Sequence, residues 1–199
     1  MSYAGFCARV REHLGQQHRY NHCVRVARLA DTIAAAHGAD TRVARRAGML
    51  HDLARLYDEH RLLTECSARA IPIDDYARKY PVVLHAPLGA ALAAELFNER
   101  DEAVLSAIAK HTLAATEMSL LDCVLYLADS LEPHRRFAGR AELACLAHRD
   151  VAAAMAQTIG SSFSYLRERG LRAAPQTIAA ARLFGVPADY EEALPGGPS

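Results

Sequence analysis

A histidine and an aspartate stand next to each other at His51-Asp52, within a run of small and apolar residues. Adjacent side chains on a helix point about 100° apart, so the two can still converge on one ion that lies between them. An ionised aspartate inside a core is costly unless it has a partner, and a metal cation is an efficient partner. The pair alone is a weak signal, because such dipeptides are frequent by chance.

Four further metal-competent side chains lie on the apolar side of other predicted helices. They are His22, His85, His111 and Asp129. Each of them singly is more often a hydrogen-bonded core residue or a surface residue. Asp122 lies near the same face as Asp129, but a capping box with Ser119 explains its presence. The recurrence of such residues on successive helices predicts a metal site to which several helices contribute.

Helical periodicity extends through almost the whole chain, and no segment alternates as a β-strand does. The apolar pattern predicts helices around 6–14, 18–37, from 40 or 41 onward, 87–97, 101–112, 119–131, 141–169 and 175–184. Prolines break 58–81 into short helices and turns, and 132–140 is predicted as an arginine-rich loop. We therefore predict an all-α fold, with one helical bundle over residues 1–190, its motifs within 18–140 and C-terminal helices packed on it. Residues 191–199 are predicted to be a disordered tail.

Composition limits the classes of function. The chain has 199 residues, 51% of them apolar, and 23 basic residues balance 23 acidic ones. This length favours a single domain, and the neutral balance argues against nucleic acid or an anionic membrane as the partner. No apolar run reaches the ~20 residues that span a bilayer, and the N-terminus has no signal-peptide core, so a cytoplasmic location is expected. Five scattered cysteines without a CxxC spacing indicate neither a disulfide framework nor a thiolate zinc site.

The ordered series of histidines and aspartates resembles the HD-domain superfamily of metal phosphohydrolases. More narrowly, the chain resembles the YqeK family of symmetrical diadenosine-tetraphosphate hydrolases. The matching segments are His18-Arg19-Tyr20-Asn21-His22, His51-Asp52-Leu53-Ala54-Arg55, Leu84-His85-Ala86-Pro87-Leu88-Gly89-Ala90, His111-Thr112 and the run from Ala128 to Phe137. They cover about 12–139. Two departures occur: Arg55 stands where the family often has lysine, and Leu113-Ala114-Ala115 replaces a glycine and a polar or basic residue.

The resemblance implies an HD-domain bundle with two divalent transition-metal ions, and iron is the expected metal. It assigns His22, His51, Asp52 and Asp129 to the first ion, and Asp52, His85 and His111 to the second. Asp52 bridges the ions in this assignment. A hydroxide bound to both ions would cleave diadenosine tetraphosphate at a central phosphate into two ADP, with Asp52, His85 and His111 as the catalytic residues.

A polyphosphate substrate requires cationic and polar groups near the metals. The side chains expected to contact it adjoin the ligand segments: Arg19, Arg55, Lys110, Thr112, Arg135 and Arg136. For each cationic side chain, a solvated surface charge is an equal alternative.

Two other functions remain open. The first is a mononuclear HD phosphohydrolase of nucleoside mono- or triphosphates, in which His85 and His111 would contact substrate instead of metal. The second is a non-catalytic nucleotide-binding regulatory module, against which the six intact ligand positions argue. Manganese, cobalt and zinc suit the same ligands as iron. A homodimer through the long predicted helix over 141–169 is equally open.

Overall fold

The computed structural model describes residues 2–186, and its regular structure is helical. The described residues form eleven α-helices and one 3-10 helix: α1 (Tyr3–Leu14), α2 (Gln17–Ala36), α3 (Thr41–Leu50), α4 (Glu59–Ala68), α5 (Asp75–Lys79), the 3-10 helix (Pro81–Leu84), α6 (His85–Phe97), α7 (Glu102–Lys110), α8 (Leu120–Leu131), α9 (Arg140–Ala147), α10 (Val151–Glu168) and α11 (Pro175–Leu183). The described residues form no β-strand. The predicted all-α fold is confirmed. The predicted tail over 191–199 lies outside the described residues, and the domain extent of 1–190 stays a prediction.

Helices α2 and α3 pack antiparallel, since Asp31 pairs with Arg45 while His22, earlier in α2, lies beside His51 after the end of α3. The side chain of Asp40 accepts a hydrogen bond from the backbone N–H of Arg42 and so begins α3 where the sequence predicts. A Cβ atom on Gly48 would lie 2.6 Å from the Cα atom of Ala27, so only glycine permits this approach of the two backbones. The close contact brings His22 of α2 beside the end of α3.

Helices α6, α7 and α8 complete the bundle, with α7 packed on α6 and α8, and α8 packed also on α2 and α3. At the start of α8, the Ser119 hydroxyl accepts the backbone N–H of Asp122, and the Asp122 carboxylate accepts the backbone N–H of Ser119. The predicted capping box is confirmed. The apolar side chains of α8 from Cys123 to Ala128 are buried, which fixes the direction of Asp129 near the end of the helix.

The C-terminal helices α9 and α10 pack on α8 and on each other, and α11 packs on α10. The prediction of one long helix over 141–169 is wrong, because α9 ends at Ala147 and α10 begins at Val151. Asp150 has extended backbone, and its side chain accepts the backbone N–H of Ala153 as a cap. Among the described residues, no helix combines the length and apolar character needed to cross a bilayer.

Candidate metal centre

Helix ends and helix faces bring together all six side chains predicted as metal ligands. His22 lies in α2, His85 begins α6, His111 follows α7 and Asp129 lies in α8. His51 and Asp52 occupy the turn after α3, because α3 ends at Leu50. The expectation that this pair lies within a helix is therefore wrong, although both side chains are buried as predicted.

The first cluster consists of His22, His51 and Asp129, whose potential ligand atoms all lie within 4.8 Å of one another. His22 Nε2 is 3.3 Å from His51 Nε2 and 3.0 Å from Asp129 Oδ1. Asp52 Oδ2 approaches the same two imidazoles, at 3.5 Å from His22 Nε2 and 3.3 Å from His51 Nε2. Two nitrogens and two carboxylates thus face one small volume.

The second cluster consists of Asp52, His85 and His111, again within 4.8 Å of one another. His85 Nε2 is 3.1 Å from His111 Nε2, and the other carboxylate oxygen of Asp52, Oδ1, is 3.6 Å from His85 Nε2. Asp52 therefore turns one oxygen toward each pair of histidines. A carboxylate that bridges two ions requires this orientation.

The second ring nitrogen of each histidine faces an oxygen. Three of the four Nδ1 atoms contact the backbone carbonyl three residues earlier: His51 and Gly48 at 2.8 Å, His85 and Val82 at 2.5 Å, and His111 and Ile108 at 2.7 Å. The fourth, His22 Nδ1, lies 3.3 Å from a carboxylate oxygen of Glu132. These acceptors assign the ring proton to Nδ1, which leaves every Nε2 as an electron-pair donor to a metal.

The donor set fits metal ions. With the protons on Nδ1, the Nε2 lone pairs of His22 and His51 face each other at 3.3 Å, and those of His85 and His111 at 3.1 Å. No proton lies between them, so their approach is repulsive unless a cation accepts both. Imidazole and carboxylate together suit first-row transition metals better than magnesium or calcium.

The protonation states agree with this fit. Burial lowers the pKa of His111 to about 3 and also lowers the pKa of His85, so both are neutral at pH 7. Neutral imidazole is the form that binds metal. Burial opposes ionisation of Asp52, yet the adjacent His51 holds the pKa of that carboxyl well below its usual value. Burial opposes protonation of His51, but the Asp52 carboxylate raises the pKa of that imidazole, so a proton and a metal ion compete for it. The second cluster thus presents two neutral nitrogens and an ionised carboxylate.

A cavity of about 280 Å³ opens over the two clusters, and four of the six predicted substrate contacts line it: Arg19, Arg55, Thr112 and Arg135. The Nη1 atom of Arg19 lies 2.8 Å from Asp52 Oδ2, and the Arg135 guanidinium donates to Asp129 Oδ1. The hydroxyl of Thr112 lies 3.2 Å from the Nε2 atoms of both His85 and His111. Their contact with substrate stays a prediction.

The other two predicted substrate contacts lie elsewhere. Lys110 does not line this cavity, since its Nζ donates to the Asp122 carboxylate and the Glu117 carbonyl, each at 2.9 Å. Its neighbour in sequence, His111, faces the metal cluster, and adjacent residues on a helix point in different directions. Arg136 lines a second, adjoining cavity.

A family model described as the HD domain matches residues 19–134, a span that contains all six side chains. The chain belongs to the HD-domain family. This HD domain is 32% identical over 170 residues to a symmetrical bis(5'-nucleosyl)-tetraphosphatase of Halalkalibacterium halodurans, covering 85% of this chain and 90% of that protein. The enzyme of the same name from Bacillus subtilis is 33% identical over 162 residues, covering 81% and 87%.

A solved structure of another HD protein has the same fold. The crystal structure of a predicted HD superfamily hydrolase involved in NAD metabolism, from Clostridium acetobutylicum, matches with a TM-score of 0.87 at 30% identity, covering 92% of this chain and 97% of that one. The predicted membership of the HD hydrolases is confirmed. The HD domain implies dependence on a divalent metal, which the observed donor set fits.

Glu132 is a site residue of this HD domain that sequence reasoning missed. It is 3% exposed, and its carboxylate accepts hydrogen bonds from Arg25 Nε at 2.6 Å and the backbone N–H of His134 at 2.9 Å while facing His22 Nδ1. Burial opposes its ionisation, but the Arg25 guanidinium lowers its pKa to about 2, so it is charged. Glu132 follows the last residue of α8 and has non-helical backbone, so helical periodicity does not point to it.

Proposed function

We propose that this protein hydrolyses diadenosine tetraphosphate symmetrically to two ADP at a binuclear metal centre. The observation that carries the proposal is the pair of histidine clusters that share Asp52, one oxygen of which faces each cluster. The names of the relatives from Halalkalibacterium halodurans and Bacillus subtilis support the substrate. The charge of the cavity wall supports a polyphosphate more generally.

Each cluster would hold one cation. His22, His51 and Asp129 would bind the first, His85 and His111 would bind the second, and Asp52 would bind both. This division favours two ions over the mononuclear alternative, which would leave His85 and His111 without a ligand role. Iron is the expected metal. A cytoplasmic location, a homodimer and the absence of a nucleic-acid partner stay predictions.

The two cations would lower the pKa of a bound water and stabilise negative charge on the phosphate oxygens. Arg19, Arg55 and Arg135 line the cavity and would neutralise the remaining charge of the polyphosphate. Their guanidinium groups suit bidentate contacts with phosphate. The Thr112 hydroxyl, between His85 and His111, can donate a hydrogen bond to a phosphate oxygen.

One water is consumed in the reaction. Its oxygen forms a bond to one of the two central phosphorus atoms, and the bond from that phosphorus to the central bridging oxygen breaks. The leaving ADP keeps the bridging oxygen on its terminal phosphate. The attacked half carries the oxygen from water and becomes the second ADP. No nucleophilic side chain is required, so the residues of the cavity act by binding metal and orienting phosphate.

The proposal is tested by incubating the purified protein with diadenosine tetraphosphate and separating the products by anion-exchange chromatography. ADP as the sole product is the expected result. AMP together with ATP would contradict symmetrical cleavage, and no turnover in the presence of bound metal would contradict the substrate. Asp52→Ala should form no ADP. Asp31→Ala is its matched control, because Asp31 forms an ion pair with Arg45 at 3.3 Å and lines neither cavity.

A further inference from the structure

A second cavity, of about 630 Å³, adjoins the cavity over the metal clusters. Six residues line both: Val82, Thr112, Tyr126, Ser130, Arg135 and Ser162. The volume lies within the ~300–1,000 Å³ that is typical of small-molecule sites. The two cavities are therefore adjacent, so a ligand with its phosphates at the metals lies within reach of the second cavity.

Aromatic rings distinguish this second cavity from the first. Tyr76, Tyr80, Phe137 and Tyr165 line it and do not line the metal cavity. Phe137 is 41% exposed and Tyr165 is 53% exposed, although both are large and partly apolar. The guanidinium carbon of Arg169 lies 4.5 Å from the centroid of the Tyr165 ring and helps to hold it. Exposed aromatic rings around a cavity are a surface on which a nucleobase stacks.

A buried hydroxyl in the wall lacks a partner. Thr158 is 3% exposed and lines the second cavity, and its Oγ1 has no hydrogen-bond partner within the part of the chain that the structure describes. Such a group is rare and costly, so we expect a water or an atom of a bound ligand to satisfy it. The same is true of Arg19 Nε, which belongs to a residue of the metal cavity. A residue in the wall of each cavity thus carries one buried polar atom without a partner in the described part of the chain.

The wall of the second cavity comes largely from outside the span that matches the HD family. Thr158 and Tyr165 lie in α10, beyond residue 134. Two hydrogen bonds join the C-terminal segment to the rest of the cavity wall. The Tyr76 hydroxyl donates to the backbone carbonyl of Arg172 at 3.1 Å, and the Thr177 hydroxyl donates to the backbone carbonyl of Leu113 at 2.9 Å. The apolar Leu113, where the sequence departs from the family pattern, is part of the same wall.

We propose that this second cavity binds one nucleoside of the substrate, with the base against Tyr165 and a polar atom of the base or ribose at Thr158. Arg135 and Arg136 lie where the phosphates would pass from the nucleoside to the metals. The inference rests on the proposed function, because the phosphate chain links the two cavities. The C-terminal helices would then give this HD domain its selectivity for a nucleotide over a simple polyphosphate.

The test is calorimetric titration of the metal-loaded protein with ADP and, separately, with inorganic pyrophosphate. Tyr165→Ala is expected to weaken ADP binding on the order of 10-fold or more, which is the usual loss when a stacking ring is removed. It is expected to leave pyrophosphate binding unchanged. Thr158→Val, which removes only the hydroxyl, should also weaken ADP binding alone, and Tyr165→Phe should retain it.

Tyr3→Ala is the matched control, because Tyr3 is 51% exposed on α1 and lines neither cavity. ADP binding unchanged in both Tyr165→Ala and Thr158→Val would overturn the proposal, as would an equal loss of ADP and pyrophosphate binding or no ADP binding by the wild type. A wild type that binds ADP through Tyr165 but forms no ADP from diadenosine tetraphosphate would support this nucleoside site and contradict the proposed hydrolysis.

Discussion

Replacement of Glu132 by glutamine measures how strongly a buried carboxylate behind His22 controls metal binding. The substitution keeps the size of the side chain and one oxygen that can accept from His22 Nδ1, but it removes the negative charge. The charge matters for two contacts, the 3.3 Å approach to His22 Nδ1 and the 2.6 Å hydrogen bond from Arg25 Nε. Without it, His22 becomes a weaker electron-pair donor to the metal, and Arg25 loses its ion pair.

The expected size of the effect follows from these contacts. Loss of a partner behind a metal-binding histidine costs on the order of 10- to 100-fold in metal affinity. Because the glutamine oxygen can still accept from His22, we expect the lower end, about tenfold. The affinity is read by competition with a chromophoric chelator. The kcat measured at saturating metal should stay close to that of the wild type, since Glu132 does not line the substrate cavity.

Glu99→Gln is the matched control for this experiment. Glu99 is 4% exposed and accepts from Arg46 at 2.6 Å and from the backbone N–H groups of Arg100 and Asp101, yet it lines neither cavity. Both variants therefore lose a buried ion pair, and both should be less stable. Metal affinity should fall only in Glu132→Gln. Wild-type affinity in that variant, or an equal loss in Glu99→Gln, would refute the role given to Glu132.

Three further substitutions test other parts of the site. Asp52→Ala should abolish hydrolysis and lower the bound metal, measured by elemental analysis, because both clusters lose an oxygen; near-wild-type turnover would contradict the ligand assignment. Replacing both Arg135 and Arg136 by alanine should raise the KM for diadenosine tetraphosphate. The metal content should be unchanged, because a metal ion bound by Asp129 would not depend on the Arg135 guanidinium; loss of bound metal would instead show that the two arginines maintain the structure of the site. Gly48→Ala should lower the free energy of unfolding by ~1–3 kcal/mol in urea titrations, because the new Cβ would overlap Ala27, and an unchanged midpoint would contradict the packing of α2 on α3.

The convergence of these six side chains could be predicted, because several of them break a local pattern. His22, His111 and Asp129 are polar residues at positions that helical periodicity assigns to the core, and such positions are rarely polar without a partner. The start of α8 was also predictable, because the capping box of Ser119 and Asp122 is a local pattern within four residues. The break between α9 and α10 was not, because the apolar period continues through it and Asp150 resembles other surface acids.

Long-range side-chain contacts could not be predicted from these patterns. Glu132 and His22 are 110 positions apart, and no local signal distinguishes a buried glutamate after a helix from a solvated one. The pairing of Lys110 with Asp122 is shorter in range, but it depends on how α7 packs against α8. The second cavity is formed by segments as distant as the 3-10 helix and α10, so its existence depends on the tertiary structure alone.

The most direct test of the binuclear hydrolase is a metal titration of chelator-stripped protein under anaerobic conditions with ferrous iron. Bound metal per chain is counted by elemental analysis, and ADP formation from diadenosine tetraphosphate is followed in the same samples. We expect binding to saturate at two ions per chain, with activity rising as the second ion binds. Full activity at one ion per chain would contradict the shared role of Asp52 between two clusters.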